Sequence, residues 1–280
     1  MNHREAGHYW NESAEAWTRL ARRGYDAYRD YFNSPSFFAM LPDVNGRNGL
    51  DIGCGEGYNT RLLAERGARI TGLDISEVFI GYARQAEQDK PLGIRYQVAS
   101  AVDLPFSDES FDFTTGFMSL MDVPETDRVL AEAFRVLKPG GFLQFSITHP
   151  CFDTPHRRNL RNSEGQTYAI EVGKYFEGHQ GAIDEWLFKA APAHEKRGLR
   201  KFTIPRFSRT VSEWINLIIA TGFLIERVEE PRPSDETVKA HPELQDAQVV
   251  SYFLHWRLRK PLGALGAQAS LPALETKMTS

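Results

Sequence analysis

Between positions 48 and 148 short apolar runs alternate with stretches whose apolar residues recur at helical spacing. Leu50 and Ile52 suit the end of a buried strand, and residues 58–66 read as a helix with Leu62 and Leu63 inward and Gly67 as its stop. A second strand follows at 69–75, then a helix over 77–88 with Ser76 as N-cap, and a third strand at 94–98. The fourth strand is expected at 111–117. Pro124 opens a helix whose Val129, Leu130, Ala133, Phe134 and Leu137 share one face, the run Lys138-Pro139-Gly140-Gly141 ends it, and 142–148 forms the fifth strand. Five strand-helix steps in a row predict a parallel sheet covered by helices on both faces.

The flanks break this rhythm. Residues 1–47 are rich in aromatic and charged positions and predict helices in front of the sheet. Residues 149–210 show neither a clear strand nor a long helix, and they are read as an insertion lying over the site. The alternation resumes with a helix from Thr210 or Ser212 to Ala220, stopped by Gly222, then strands at 223–228 and 249–258, so that 211–259 completes the core. Residues 260–280 carry small and polar positions with isolated leucines, as expected of a poorly ordered tail.

The junction of the first strand and helix carries the chemistry. In Leu50-Asp51-Ile52-Gly53-Cys54-Gly55-Glu56-Gly57 three glycines let the backbone turn sharply and approach a ligand that a Cβ would push away. Asp74 stands 21 residues beyond Gly53, at the tip of the second strand, where an acid accepts hydrogen bonds from both hydroxyls of a ribose. Together they describe one adenosine pocket. A nicotinamide dinucleotide loop places a third glycine where this chain has Tyr58, and Asp51 suits a cationic ligand better than a pyrophosphate. S-adenosylmethionine is therefore favoured over NAD.

Through Leu50 to Gly57, Thr71 to Ser76, Asp103-Leu104-Pro105-Phe106, Phe111-Asp112-Phe113 and Leu137-Lys138-Pro139-Gly140-Gly141, the chain resembles the class I S-adenosylmethionine-dependent methyltransferases. The resemblance covers residues 48–148, the cofactor-binding core. It implies an α/β, Rossmann-like three-layer sandwich: a seven-stranded, mostly parallel sheet with a final antiparallel strand, plus N-terminal helices and an inserted lid. It also implies that the helices of residues 1–47 form a cap over the cofactor, with Trp17, Tyr25 and Arg29 as candidates to touch a ligand. The implied activity is transfer of a methyl group from S-adenosyl-L-methionine to an oxygen or nitrogen of a small molecule. An NAD-dependent oxidoreductase and a non-catalytic S-adenosylmethionine-binding regulatory protein are the alternatives.

The donor is already activated, so the protein's task is to hold donor and acceptor in line and exclude water. The resemblance assigns cofactor binding to Asp51, Gly53, Cys54, Gly55, Asp74, Ile75, Ser100, Ala101 and Phe117. Ser100 departs from the family pattern, which often has an acid there for the adenine amino group. Asp103 is read as ordering its loop, and Asp122 as a substrate contact or the cap of the helix after Pro124. Met118, Tyr175 and Trp186 are candidates for the acceptor's walls. His149, directly after the fifth strand, is the candidate general base, because imidazole shuttles protons near neutral pH.

Composition narrows the partners. A formal net charge of −4 offers no general attraction to nucleic acid, so a small-molecule acceptor is expected, with the protein a monomer or homodimer. The apolar runs fall short of a membrane span and the N-terminus opens no signal segment, so no membrane association is expected. Two cysteines, Cys54 and Cys151, are too few for a disulfide framework, which suits a reducing cytoplasm. No metal site is expected.

Overall fold

The computed structural model describes residues 1–263. The chain opens with α1 (His3–Ala21), started by a capping box in which Asn2 accepts from the Arg4 and Glu5 amides and Glu5 reaches back to the Asn2 amide. A π-helical turn (Arg29–Asn33) runs directly into α2 (Ser34–Met40). The core follows: β1 (Asn48–Ile52), α3 (Tyr58–Glu65), β2 (Arg69–Asp74), α4 (Glu77–Asp89), β3 (Arg95–Val98), β4 (Phe111–Phe117), α5 (Thr126–Val136) and β5 (Leu137–Thr148), strand and helix alternating as expected except between β3 and β4, which a helix-free loop joins. Four further strands form the insertion: β6 (His156–Arg161) pairs antiparallel with β7 (Thr167–Gly173), and β8 (Ala182–Trp186) with β9 (Phe202–Arg206), with the short α6 (Ala193–Lys196) between the latter two. The core resumes in α7 (Val211–Thr221), capped by Thr210 and Glu213 and closed by Gly222 at φ +96°, then β10 (Leu224–Glu229), α8 (Asp235–Ala240) and β11 (Phe253–Arg259).

Seven strands make one sheet in the order β10-β11-β5-β4-β1-β2-β3. Every pairing among β1 to β5 is parallel, whereas β11 runs antiparallel to both β5 and β10. This is the expected sandwich with its single reversed strand. The two faces carry separate cores: Leu50, Ile52, Phe145 and Ile147 pack with α5 and Trp214 of α7, while Phe113 and Phe142 stack at 5.5 Å and pack with Phe37 and Leu63. Strand order reverses between β1 and β4. Each winds away from the other, so a crevice opens at their carboxyl ends, the place where open α/β sheets bind ligands.

The structure corrects three boundaries. Residues 150–210, expected to lack strands, hold two hairpins; their strands are short and β6 is mostly exposed, so no alternation of buried and solvent positions marks it. The fifth strand starts at Leu137 rather than Phe142, with Lys138-Pro139-Gly140-Gly141 absorbed as a register shift against β4. The last strand starts at Phe253, because residues 242–248 form a 3-10 turn. The tail reading for 260–280 falls beyond the described residues from 264 onward. Among the described residues no helix is long and apolar enough to cross a membrane.

Candidate active site

A cavity of about 610 Å³ occupies the crevice between β1 and β4 and extends beneath the insertion. One end is built on the glycine loop. Gly53 takes φ +70°, and a Cβ there would stand 2.4 Å from the Cβ of Ser119; Gly55 takes φ +55° and faces open space. At Gly53 the clash admits only glycine, while at Gly55 the positive φ favours it. The Gly53 and Cys54 amides both donate to the Leu73 carbonyl at 2.9 Å, which binds the loop to the end of β2.

Asp74 completes that end. Its carboxylate accepts from the Gly55 amide and from the Ser76 amide, each at 2.9 Å, and the side chain lies at the cavity wall with 8% of its surface exposed. Each oxygen keeps a further lone pair for a ligand hydroxyl. Burial raises the Asp74 carboxyl above its ordinary value against the pull of those amides. Ile75, Ser100, Ala101, Cys54 and Phe117 line the same cavity. Burial, with Asp74 and Asp51 nearby, pushes the Cys54 thiol well up, so its sulfur stays protonated.

Asp51 is placed differently from the expectation. Strand alternation turns its side chain away from the cavity into the sheet's interior, where its oxygens accept from Thr60 at 2.6 Å and Thr115 at 2.7 Å. It therefore braces β1, α3 and β4 from behind the loop. Burial pushes its carboxyl up to about 6 despite the two hydroxyls.

The N-terminal segment roofs the cavity, as the family resemblance implied. Gly7 of α1 lies so close to Ile75 that a Cβ would meet the Ile75 side chain at 2.8 Å. The Arg29 guanidinium lies 4.0 Å from the Tyr58 ring centroid, donates to Asp30 at 2.7 Å and stands 3.8 Å from Glu56 of the glycine loop. Asp26, beside it, is pushed up to about 6 by burial. Trp17 and Tyr25 also line the cavity.

The other end lies under the insertion. Met118 leaves β4 at φ +53°, a conformation rare for a side chain of its size, with its amide donating to the Ser146 carbonyl at 2.9 Å. Trp186 lines this end and packs on Trp17 at 5.4 Å, while Phe188 and Phe202 complete the cluster that fastens β8 and β9 to α1. Arg206 of β9 pairs with Asp153 and, at 3.1 Å, with Asp184, and Thr148 donates to Asp153 at 2.7 Å. At the mouth, Arg157 lies 4.4 Å from the Tyr252 centroid, and Tyr252 stacks on Tyr28 at 5.4 Å.

Besides Asp51, two further candidate residues lie outside the cavity. His149 does not line the cavity: it is 5% exposed, its Nδ1 accepts from the Cys151 amide at 3.2 Å, and its Nε2 therefore carries the proton that it donates to Glu230 at 2.7 Å. Both ring nitrogens are engaged in holding the turn after β5, away from the cavity where a general base would have to stand. Tyr175 is also outside the cavity, its hydroxyl accepting from the Val211 amide at 2.8 Å at the start of α7.

Asp122 lines the cavity instead of capping α5. That helix begins with Glu125 as N-cap and no side-chain cap, and the Thr126 hydroxyl donates to the Val123 carbonyl at 2.6 Å. The signal for Asp122 in the sequence was its place just after β4. Nothing local showed that Arg206 and Asp153 would come to face it. Among the described residues no cluster of three or more His, Cys, Asp or Glu side chains could hold a metal ion.

Residues 50–145 match the family model described as a methyltransferase domain. A fatty-acid O-methyltransferase of Mycolicibacterium smegmatis is 31% identical over 172 residues, covering 59% of this chain and 62% of that protein. A ubiquinone biosynthesis O-methyltransferase of Coxiella burnetii is 36% identical over 132 residues, 47% of this chain and 52% of its own length. The chain thus spans about half to three fifths of these curated relatives. Among solved structures, an S-adenosylmethionine dependent methyltransferase from Mesorhizobium loti is 31% identical with a TM-score of 0.65, covering 80% of this chain and 96% of that one.

Proposed function

Because the chain belongs to the class I S-adenosylmethionine-dependent methyltransferases, we propose that its cavity holds S-adenosyl-L-methionine at the glycine-loop end and a small-molecule acceptor beneath the insertion, and that the protein methylates an oxygen or nitrogen of that acceptor. The observation that carries this reading is the continuity of the cavity from Gly53, Gly55 and Asp74 to Met118 and Trp186. The residues fit the donor: Gly55 leaves open space for it and Asp74 keeps lone pairs for the ribose. Ile75, Ser100 and Ala101 are suited to the adenine.

The bound donor supplies a methyl group on a sulfonium, electrophilic enough to need no further activation. The protein's part is to align and to dry. α1 and the insertion cover the cavity, and Phe117 and Met118 line it in succession at the end of β4. The similar proteins of M. smegmatis and C. burnetii are both O-methyltransferases, which favours oxygen as the acceptor atom here.

Calorimetric titration tests the donor assignment. S-adenosylhomocysteine is expected to bind and NAD not to, and Asp74→Ala is expected to weaken binding by about 1–3 kcal/mol through loss of charge-assisted hydrogen bonds. Binding of NAD alone overturns the reading in favour of an oxidoreductase. Binding of the donor without product formation from any acceptor favours a regulatory protein.

A further inference from the structure

Asp122 is the carboxylate at the acceptor end that the protein leaves without a hydrogen bond among the described residues. It sits in the short 3-10 turn Leu120–Asp122 after β4, a turn packed against β5, α5 and β9. Its amide donates to the Ser119 carbonyl at 3.0 Å, which fixes the backbone and leaves the side chain unoccupied. The charged groups that bear on it are Arg206 of β9 and Asp153 of the turn after β5; α5 contributes none. Arg206 is already paired with Asp153 and Asp184. The neighbouring His179 is held below its usual imidazole value by burial and by Arg206, and so is neutral at pH 7.

With Asp122 ionised, three carboxylates face one guanidinium, leaving two net negative charges. Beside Asp122 such a cluster favours a neutral acceptor over a carboxylate, the cations Arg157 and Lys189 belonging to other parts of the cavity's lining.

We propose that Asp122 is the general base of this site and that the acceptor is a phenolic hydroxyl. The inference rests on the methyltransferase reading. As the acceptor oxygen bonds to the methyl carbon, the carbon–sulfur bond breaks with its electron pair remaining on sulfur. The hydroxyl proton passes to the Asp122 carboxylate and from there to solvent. Burial pushes the Asp122 carboxyl up to about 7, with Asp153 raising and Arg206 lowering it. A base of that strength is matched to a phenol, which ionises near about 10, in a way that an ordinary surface carboxylate is not. The aromatic and thioether walls from Tyr25, Trp186, Met118 and Met121 suit a flat ring.

The test uses the full chain loaded with S-adenosylhomocysteine and the chromophore 4-nitrocatechol, whose ionisation is read from its absorbance. In the wild type the bound probe and Asp122 share one proton, so its first ionisation occurs at higher pH than in Asp122→Asn. Identical titrations in the two proteins overturn the proposal, as does failure of the probe to bind a protein that binds S-adenosylhomocysteine. If S-adenosylhomocysteine itself does not bind, the methyltransferase reading fails first.

Turnover gives the second readout. With catechol and S-adenosylmethionine the wild-type rate rises with pH through about 7 and then levels. Asp122→Asn is expected to lose about 100-fold or more with its circular dichroism and cofactor affinity unchanged, and Asp122→Glu to restore part of the rate and the pH dependence. Wild-type turnover in Asp122→Asn, or methylation of octanoate at a rate matching catechol, overturns the proposal.

Discussion

Asn11 on α1 accepts the hydroxyl hydrogen of Ser76, the N-cap of α4, at 2.8 Å. The same oxygen accepts from the Val78 amide at 3.2 Å, while Ser76 caps Phe79 through its own oxygen. The roof of the cavity is thus fixed to the helix that follows Asp74. Asn11→Ala leaves two donors without their partner and is expected to cost about 1–3 kcal/mol of stability in urea unfolding. It should also raise the dissociation constant of S-adenosylhomocysteine several-fold, since Gly7 then bears less firmly on Ile75.

Asp51 makes stability depend on pH with an unusual sign. Its folded carboxyl ionises near 6 rather than 3.8, so between those values the native state holds a proton that the unfolded state has lost. Its contribution is therefore most favourable at low pH and declines as pH rises toward 6. Asp51→Asn cannot titrate. The change in unfolding free energy from pH 4 to pH 7 should differ between the two proteins by about 2–3 kcal/mol, with the wild type losing more on the alkaline side.

The hydrogen bonds of His149 are structural ones. His149→Ala is expected to lower stability by about 1–3 kcal/mol by leaving the Cys151 amide and Glu230 without their partner. Because the ring is outside the cavity, affinity for S-adenosylhomocysteine should match the wild type. A catalytic role would instead appear as a loss of turnover with stability preserved.

Trp17 holds the insertion down. Its ring lies 4.9 Å from both Phe188 and Phe202 and 5.4 Å from Trp186. Trp17→Ala should destabilise the protein by about 2–4 kcal/mol. It should also speed limited proteolysis within residues 182–206 more than anywhere in the core, which mass spectrometry of the fragments checks.

The glycine loop, Asp74 and the alternation around them were legible in the sequence because each rests on neighbours along the chain: a turn that only glycine makes, an acid at a strand tip, a period of apolar positions. Asp51 was misjudged because the strand's alternation, which sends Leu50 and Ile52 one way, sends it the other, toward Thr60 and Thr115. His149 had the right chemistry and the right strand end. What removed it was Glu230, 81 residues away, together with the Cys151 amide. The value of Asp122 likewise depends on Arg206, brought over it by a hairpin whose mostly exposed partner strand, β8, carries little periodic signal.

The position of β11 bears on how the protein is made. β11 lies between β5 and β10, although it follows both in the chain. During synthesis β10 therefore emerges with no neighbour in the sheet and must wait until residues 253–259 have left the ribosome. The cavity waits with it, since its walls draw on His3 at one end of the chain and on Tyr252 and Phe253 near the other. A chain stopped before Phe253 thus lacks both the completed sheet and the Phe253 wall of the cavity.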